Sequence, residues 1–167
     1  GSNCFKQVTT ANMDAWSFLP YLFEPATTLA VKFHVVGTES VVVALATSVS
    51  GTHYEIGIGE DGNTKSSVRR CVGGSCVTIG DIVSSPGVLN GRGLATELWV
   101  QLDESTQSVK LGTGTRVGSS LLLSATDGDA ALAVERVGVR TNDGARGDFR
   151  SVCLVSPELA VSASTVF

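Results

Sequence analysis

The stretch His53-Tyr-Glu-Ile-Gly-Ile-Gly-Glu-Asp-Gly-Asn-Thr-Lys-Ser-Ser-Val-Arg-Arg70 decides the fold. Tyr54, Ile56 and Ile58 alternate with His53, Glu55 and Gly57. That period of two is the signature of a strand with one face buried. Glu60-Asp61-Gly62-Asn63 carries turn chemistry, with Gly62 and Asn63 suited to positive φ. Thr64 to Arg70 then sets Ser66, Val68 and Arg70 on one face and Ser67 and Arg69 on the other. The whole reads as strand, glycine turn, strand, with the second strand meeting water on at least one face.

The same reading extends along the chain. Thr28 to Val36 alternates, with Leu29, Val31, Phe33 and Val35 inward and Lys32 and His34 outward. Residues 40–47 are more continuously apolar, which predicts burial on both faces. Further strands are expected at 76–79 (with 81–84 as its continuation), 97–102, 107–111, 119–125, 133–140 and 148–155. Residues 103–106 make a hairpin turn, and 85–93 and 142–147 are loops. Residues 3–20 read as an irregular lead-in that packs Trp16, Phe18 and Leu19 against the body, with only a weak signal for a short helix at 12–18. The expectation is an all-β, antiparallel, jelly-roll-like β-sandwich of about ten strands and little helix.

Length and composition bound the function. The 167 residues suit one domain with a real core, and 19 glycines suit many turns. A net charge of −4 argues against a nucleic-acid footprint. No apolar run is long enough to span a bilayer. Gly1-Ser2 resembles a cloning scar, so the chain is expected to be a piece of a larger protein. The domain itself is placed at 21–155, after the lead-in at 1–20 and before a tail or linker at 156–167.

Four cysteines allow three pairings. Cys71 and Cys76 flank a glycine turn that would bring them together across a hairpin. Cys4 and Cys153 would then tie the first segment to the last strand. Two such bonds imply an oxidising compartment: secreted, or the outer side of a membrane. A zinc centre is not expected, because Cys71 and Cys76 have no second ligand pair at suitable spacing.

Specific residues also carry a family resemblance. Tyr54-Glu-Ile-x-Ile-Gly59 followed by Gly62-Asn-Thr-Lys-Ser66 and Arg69 is similar to the core motif of the farnesoic acid O-methyltransferase-like domain. The similarity continues at Leu98-Trp-Val100, Val109-x-Leu-Gly-x-Gly114, Val137-Gly-Val-Arg-Thr141, Gly144 and Gly147-Asp-Phe149, with Tyr21-x-Phe23 and Pro25 as its opening. The resemblance implies a domain of extracellular multidomain proteins, sometimes found beside DM9 repeats. It also exposes a departure. Aromatics common in the family before Gly-Asn and after Val-Gly-x-x-Thr are here Asp61 and Asn142-Asp143.

Each remaining motif has a bland reading beside the sharp one. Gly57-Ile-Gly-Glu-Asp-Gly62 matches a phosphate-binding pattern, but no helix follows it and two carboxylates sit inside it. Nothing alternates strand and helix as a methyltransferase of the common kind requires. Arg146-Gly147-Asp148 is an integrin-type tripeptide, with a structural role as its stronger explanation. His34 and His53 read as strand histidines on a solvated face. Asp127 and Asp129 are a candidate Ca²⁺ pair, with solvated turn residues the favoured alternative.

The function these features imply is a non-catalytic, lectin-like recognition module of a secreted or cell-surface protein, binding carbohydrate. The alternative is a protein–protein adhesion module. Least favoured is a methyltransferase acting on a farnesoic-acid-like carboxylate. No cofactor is expected, and Ca²⁺ is not favoured. The partners are a glycan or another surface protein, with other domains of the parent chain and no nucleic acid. The candidate ligand-binding residues are the loop-borne Glu60, Asp61, Asn63, Lys65, Arg69, Asn142, Asp143 and Arg146. Their structural alternative is turn formation by Asn63 and pairing of Lys65 and Arg69 with strand neighbours such as Glu55.

Overall fold

The structure, a computed structural model, describes residues 2–10, 15–19, 28–142 and 145–155. Its strands, in chain order, are β1 (Ser2–Thr10), β2 (Ser17–Phe18), β3 (Thr28–Gly37), β4 (Val41–Ala46), β5 (His53–Gly59) and β6 (Lys65–Val72). They continue as β7 (Ser75–Ser84), β8 (Thr96–Asp103), β9 (Ser108–Thr113), β10 (Leu121–Thr126), β11 (Arg136–Thr141) and β12 (Gly147–Val155). Two six-stranded sheets form, in the orders β1-β12-β3-β8-β9-β10 and β2-β11-β4-β5-β6-β7. Every pairing is antiparallel. The fold is the expected antiparallel β-sandwich.

The alternation predicted for β3 and β5 fills the space between the sheets. Leu29, Val31, Phe33 and Val35 meet Tyr54, Ile56 and Ile58, all buried. β4 is buried on both faces along its whole length. The turn from β5 to β6 places Gly59, Asp61, Gly62 and Asn63 at positive φ. Asn63 holds that turn, as its structural reading required. Its Nδ2 donates to the Leu89 carbonyl at 2.8 Å and its Oδ1 accepts from the Leu89 N–H at 3.1 Å.

Both disulfides form as read from the spacing, Cys71–Cys76 across the β6–β7 hairpin and Cys4–Cys153 between β1 and β12. The second closes a separation of 149 residues. In the chain-entropy model, closing so long a loop contributes about 4–5 kcal/mol.

Two sequence expectations are corrected. The lead-in is not irregular: Ser2–Thr10 pairs with β12, and Ser17–Phe18 pairs with β11 where a helical turn was entertained. The strand expected from residue 133 starts at Arg136, because 127–135 crosses from one sheet to the other. Arg146-Gly147-Asp148 agrees with its structural reading, at the entry to β12. Gly147 and Asp148 are paired on both sides, to Thr10 and Thr9 and to Gly37 and Val36. The tail at 156–167 lies outside the described residues.

One polar knot joins the two sheets. Tyr54 Oη on β5 donates to Asp127 Oδ2 at 2.6 Å and accepts from the Leu132 N–H at 3.1 Å. Arg70 on β6 pairs with the same carboxylate and donates to the Ala130 carbonyl at 2.9 Å. Burial pushes the Asp127 carboxyl up, but hydrogen bonds from Tyr54, the Asp129 amide and Arg70 outweigh it and hold it below the usual range. Burial, followed by the Asp127 bond, pushes the Tyr54 hydroxyl far up.

Elsewhere a glycine makes room for a ring. A Cβ on Gly112 would lie 2.2 Å from the Trp99 indole. Trp99 is fully buried and donates its Nε1–H to the Ser119 carbonyl at 2.8 Å. It is a packing residue and presents no stacking surface.

Tyr54→Phe leaves the Leu132 N–H unpaired and removes a donor from Asp127. Urea denaturation is expected to show a loss of about 1–3 kcal/mol, with the spectrum of the folded protein unchanged. Gly112→Ala is expected to lower stability by about 1–3 kcal/mol through overpacking, read as a fall in thermal midpoint.

Candidate functional site on the outer face of the second sheet

The outward positions of the second sheet line up in register. Phe18, Gly138, Ala44, Glu55, Arg69 and Thr78 form one row across the six strands. Small residues in the middle of the row leave room for long side chains to lie down. Phe18 lies over Gly138, where a Cβ would come within 2.9 Å of the ring.

Glu55 is the centre of this face. It is 5 % exposed. Oε1 accepts from Arg140 Nη2 at 2.9 Å, Oε2 meets His53 Nε2 at 3.1 Å, and Arg69 Nη1 stands 4.0 Å away. Arg69 turns its other nitrogen to Glu60, which also accepts from Ser67. Two carboxylates and two guanidiniums therefore neutralise one another. The hydrogen bond with His53 is the main reason the Glu55 carboxyl sits below the usual carboxylate range. Burial opposes it, and Arg140 and Arg69 reinforce it.

Two aromatic residues stack onto this cluster. The Arg140 guanidinium lies 4.2 Å from the Trp16 ring centre, and the Trp16 ring meets His53 edge-on at 5.5 Å. The Arg136 guanidinium lies 4.3 Å from the Phe18 ring centre. Arg140 Nε is a buried donor without a partner. Beside these rings is a cavity of about 290 Å³ at the sandwich end where β4 turns into β5. Trp16, Phe18, Arg136 and His53 line it, with the hydroxyl-rich loop 47–52 as its wall.

The candidate residues read from the sequence gather mostly at the other end. There the β5–β6 turn meets the β3–β4 and β11–β12 loops: Ser40 N donates to the Gly59 carbonyl at 2.8 Å and Asn142 N to the Ser40 carbonyl at 3.0 Å. Glu60 and Arg69 belong to the charge cluster. Asp61 and Lys65 pair with each other at 3.3 Å, well exposed. Asn63 is engaged with Leu89. Arg146 is exposed next to β12. Asp143 lies outside the described residues. Asp127, read as half of a Ca²⁺ pair, faces Arg70 and Tyr54, so a guanidinium occupies the place a cation would take.

The sequence reading passed over Trp16, Phe18, Arg136 and Arg140, and took His53 for a solvated strand histidine. His53 is instead mostly covered and bound to Glu55. His34 matches that reading better, half-buried and 3.3 Å from Glu97. The available signal was Arg136-Val-Gly-Val-Arg140, whose alternation puts two arginines and a glycine on the face opposite two valines. His53, Glu55 and Cys71 bring ligand-type atoms within 4.8 Å of one another. The Cys71 sulfur is bonded to Cys76, so it is no thiolate ligand.

The chain belongs to the farnesoic acid O-methyl transferase family, whose model matches residues 14–155. No curated protein sequence matches it. Among solved structures it is similar to a galectin of Caenorhabditis elegans, LEC-6, with a TM-score of 0.57, 8% identity, and coverage of 89% of this chain and 96% of that one. A carbohydrate-binding module from Bacillus subtilis, CBM66, matches with a TM-score of 0.55, 12% identity, and coverage of 91% and 93%. The CBM40 module of the Ruminococcus gnavus IT-sialidase bound to α2,3-sialyllactose matches with a TM-score of 0.55, 11% identity, and coverage of 98% and 100%. At these identities the likeness concerns the fold.

The family's name implies S-adenosylmethionine, and the residues present do not fit it. The stretch with a cofactor-type pattern, Gly57–Gly62, runs on into strand β6. The glycine turn is filled by its own carboxylates. Glu60 lies over Gly57, where a Cβ would be 2.5 Å from its carboxyl carbon, and Glu39 accepts the Gly62 N–H at 3.1 Å.

A depressed carboxyl stabilises the fold fully above its unfolded value, about 4.3 for Glu, and that stability is lost as pH falls through the folded value. Wild-type protein is therefore expected to lose stability on acidification below about pH 4.3. Glu55→Gln is expected to be about 3 kcal/mol less stable at pH 7 and to show a shallower acid limb, measured by denaturant titration at several pH values.

Proposed function

We propose that this chain is a non-catalytic carbohydrate-binding module of a secreted or cell-surface protein, with the sugar seated beside Trp16 and Phe18. The carrying observation is the cavity itself. Two half-buried aromatic side chains, an arginine, a histidine and a wall of serine and threonine hydroxyls converge on the outer face of a β-sandwich sheet. A pyranose has apolar C–H faces and hydroxyl edges, and this lining offers a partner for each. Three solved structures sharing the fold are, by their descriptions, a galectin and two carbohydrate-binding modules. Two disulfides support an oxidising compartment.

This reading moves the ligand from the turn at Glu60–Lys65 to the opposite end of the sheet. Both placements are tested together on a glycan array with the oxidised protein. Trp16→Ala is expected to weaken binding of any glycan hit at least about tenfold, while Asp61→Ala and Lys65→Ala leave it unchanged. Loss of binding in the turn variants alone would return the site to the β5–β6 turn. A blank array would favour recognition of a protein along β7, an edge strand with Val77 and Ile82 largely exposed.

A further inference from the structure

Two arginines on β11 stack on two aromatic rings, yet they differ in one respect. Arg140 gives its Nη2 to Glu55. Among the described residues, the Arg136 guanidinium has its ring contact with Phe18 and no carboxylate or carbonyl partner. Glu135, its neighbour in sequence, makes no ion pair with it. Among the described residues, the two carboxylates of the cluster are already paired, Glu55 with Arg140 and His53, and Glu60 with Arg69. A positive charge without an acidic partner among the described residues therefore stands at the edge of the cavity, in a protein whose net charge is −4.

The stacking geometry determines what that charge can do. A guanidinium lying on a ring uses its face, and its N–H donors all point outward in its own plane. Phe18 thus takes the cation–π contact, at 4.3 Å from Cζ to the ring centre, and leaves the N–H donors of the Arg136 fork without a carboxylate or carbonyl among the described residues. A planar carboxylate is the shape that fork binds with two parallel hydrogen bonds.

Resting on the carbohydrate reading of this cavity, we infer that its ligand is an acidic sugar, a glycan unit bearing a carboxylate, bound through Arg136. The ring of the sugar lies along the aromatic side and the carboxylate meets the Arg136 fork. Serine and threonine hydroxyls of loop 47–52 face the remaining ring hydroxyls. The local cation also supplies selectivity, because the negative charge of the whole chain disfavours anions elsewhere on its surface.

Matched pairs test this by titration calorimetry on the oxidised chain: methyl glucuronide against methyl glucoside, methyl galacturonide against methyl galactoside, sialyllactose against lactose. The expected result is at least one pair in which the acid binds about tenfold or more tightly. Its methyl ester should fall to the neutral level, and the preference should weaken with added salt. Arg136→Gln is expected to abolish the preference, so that each acid binds no tighter than its neutral partner in the same variant; Lys65→Gln, which removes the same charge at the other end, keeps it. If Arg136→Gln does not fold, the ester comparison and the salt series on wild type decide alone. Equal binding of acid and neutral partners overturns the acidic assignment and leaves the carbohydrate reading standing. Equal binding of a sulfated sugar overturns the carboxylate preference. No binding to any member of any pair overturns both readings.

Discussion

A single buried carboxylate organises the outer face of the second sheet. Burying a charge is unfavourable unless it is paired and hydrogen-bonded. Glu55 meets that requirement by drawing in Arg140, His53 and Arg69 from three directions. Once Arg140 lies flat, its guanidinium offers a seat for the Trp16 ring, and His53 supports the ring edge. Trp16 and Phe18 in turn define the cavity. Removal of the Glu55 charge would therefore disturb the aromatic wall as well as the ion pairs. The apolar residues Val42, Ala44 and Ala46 explain why β4 is buried on its outward face, since polar side chains lie across them.

The family resemblance rests largely on residues with architectural roles. Gly112 accommodates Trp99, and Gly138 accommodates Phe18. Asn63 pins the turn to Leu89. Each of these positions solves a local steric or hydrogen-bonding problem of the sandwich. They identify the family, but they make no direct statement about a substrate. Function in such a fold resides in the side chains grafted onto its faces and loops.

Much of the fold was legible because the inward alternation of β3 and β5 and the double burial of β4 are encoded residue by residue. The hairpin cysteines were legible for the same reason, being close in sequence. β1 and β2 were not. Their pairing partners, β12 and β11, lie more than a hundred residues away, and β2 has only two residues to announce itself. The site was hidden for a related reason. Periodicity tells which face of a strand turns outward, but not that Arg136, Phe18 and His53 from three separate segments converge there. Loop acidity drew attention to the β5–β6 turn, where Glu60 and Asp61 turn out to have partners within the chain. Asp127 looked like a free turn residue because its partners, Tyr54 and Arg70, stand 73 and 57 positions away.

The Cys4–Cys153 bond has a mechanical consequence. Ser2 and Val155 are directly opposed, so β1 and β12 start to separate from that pair when the two are pulled apart. Such a load peels hydrogen bonds one at a time, the weakest way to stress an antiparallel ladder. Here the peeling meets a covalent bond two residue pairs in. Tension then runs from Cys4 to Cys153 and bypasses the remaining strands. Under oxidising conditions the sandwich is an inextensible link whose second sheet carries none of the force; with that bond reduced, the same pull would unzip β1 from its neighbour.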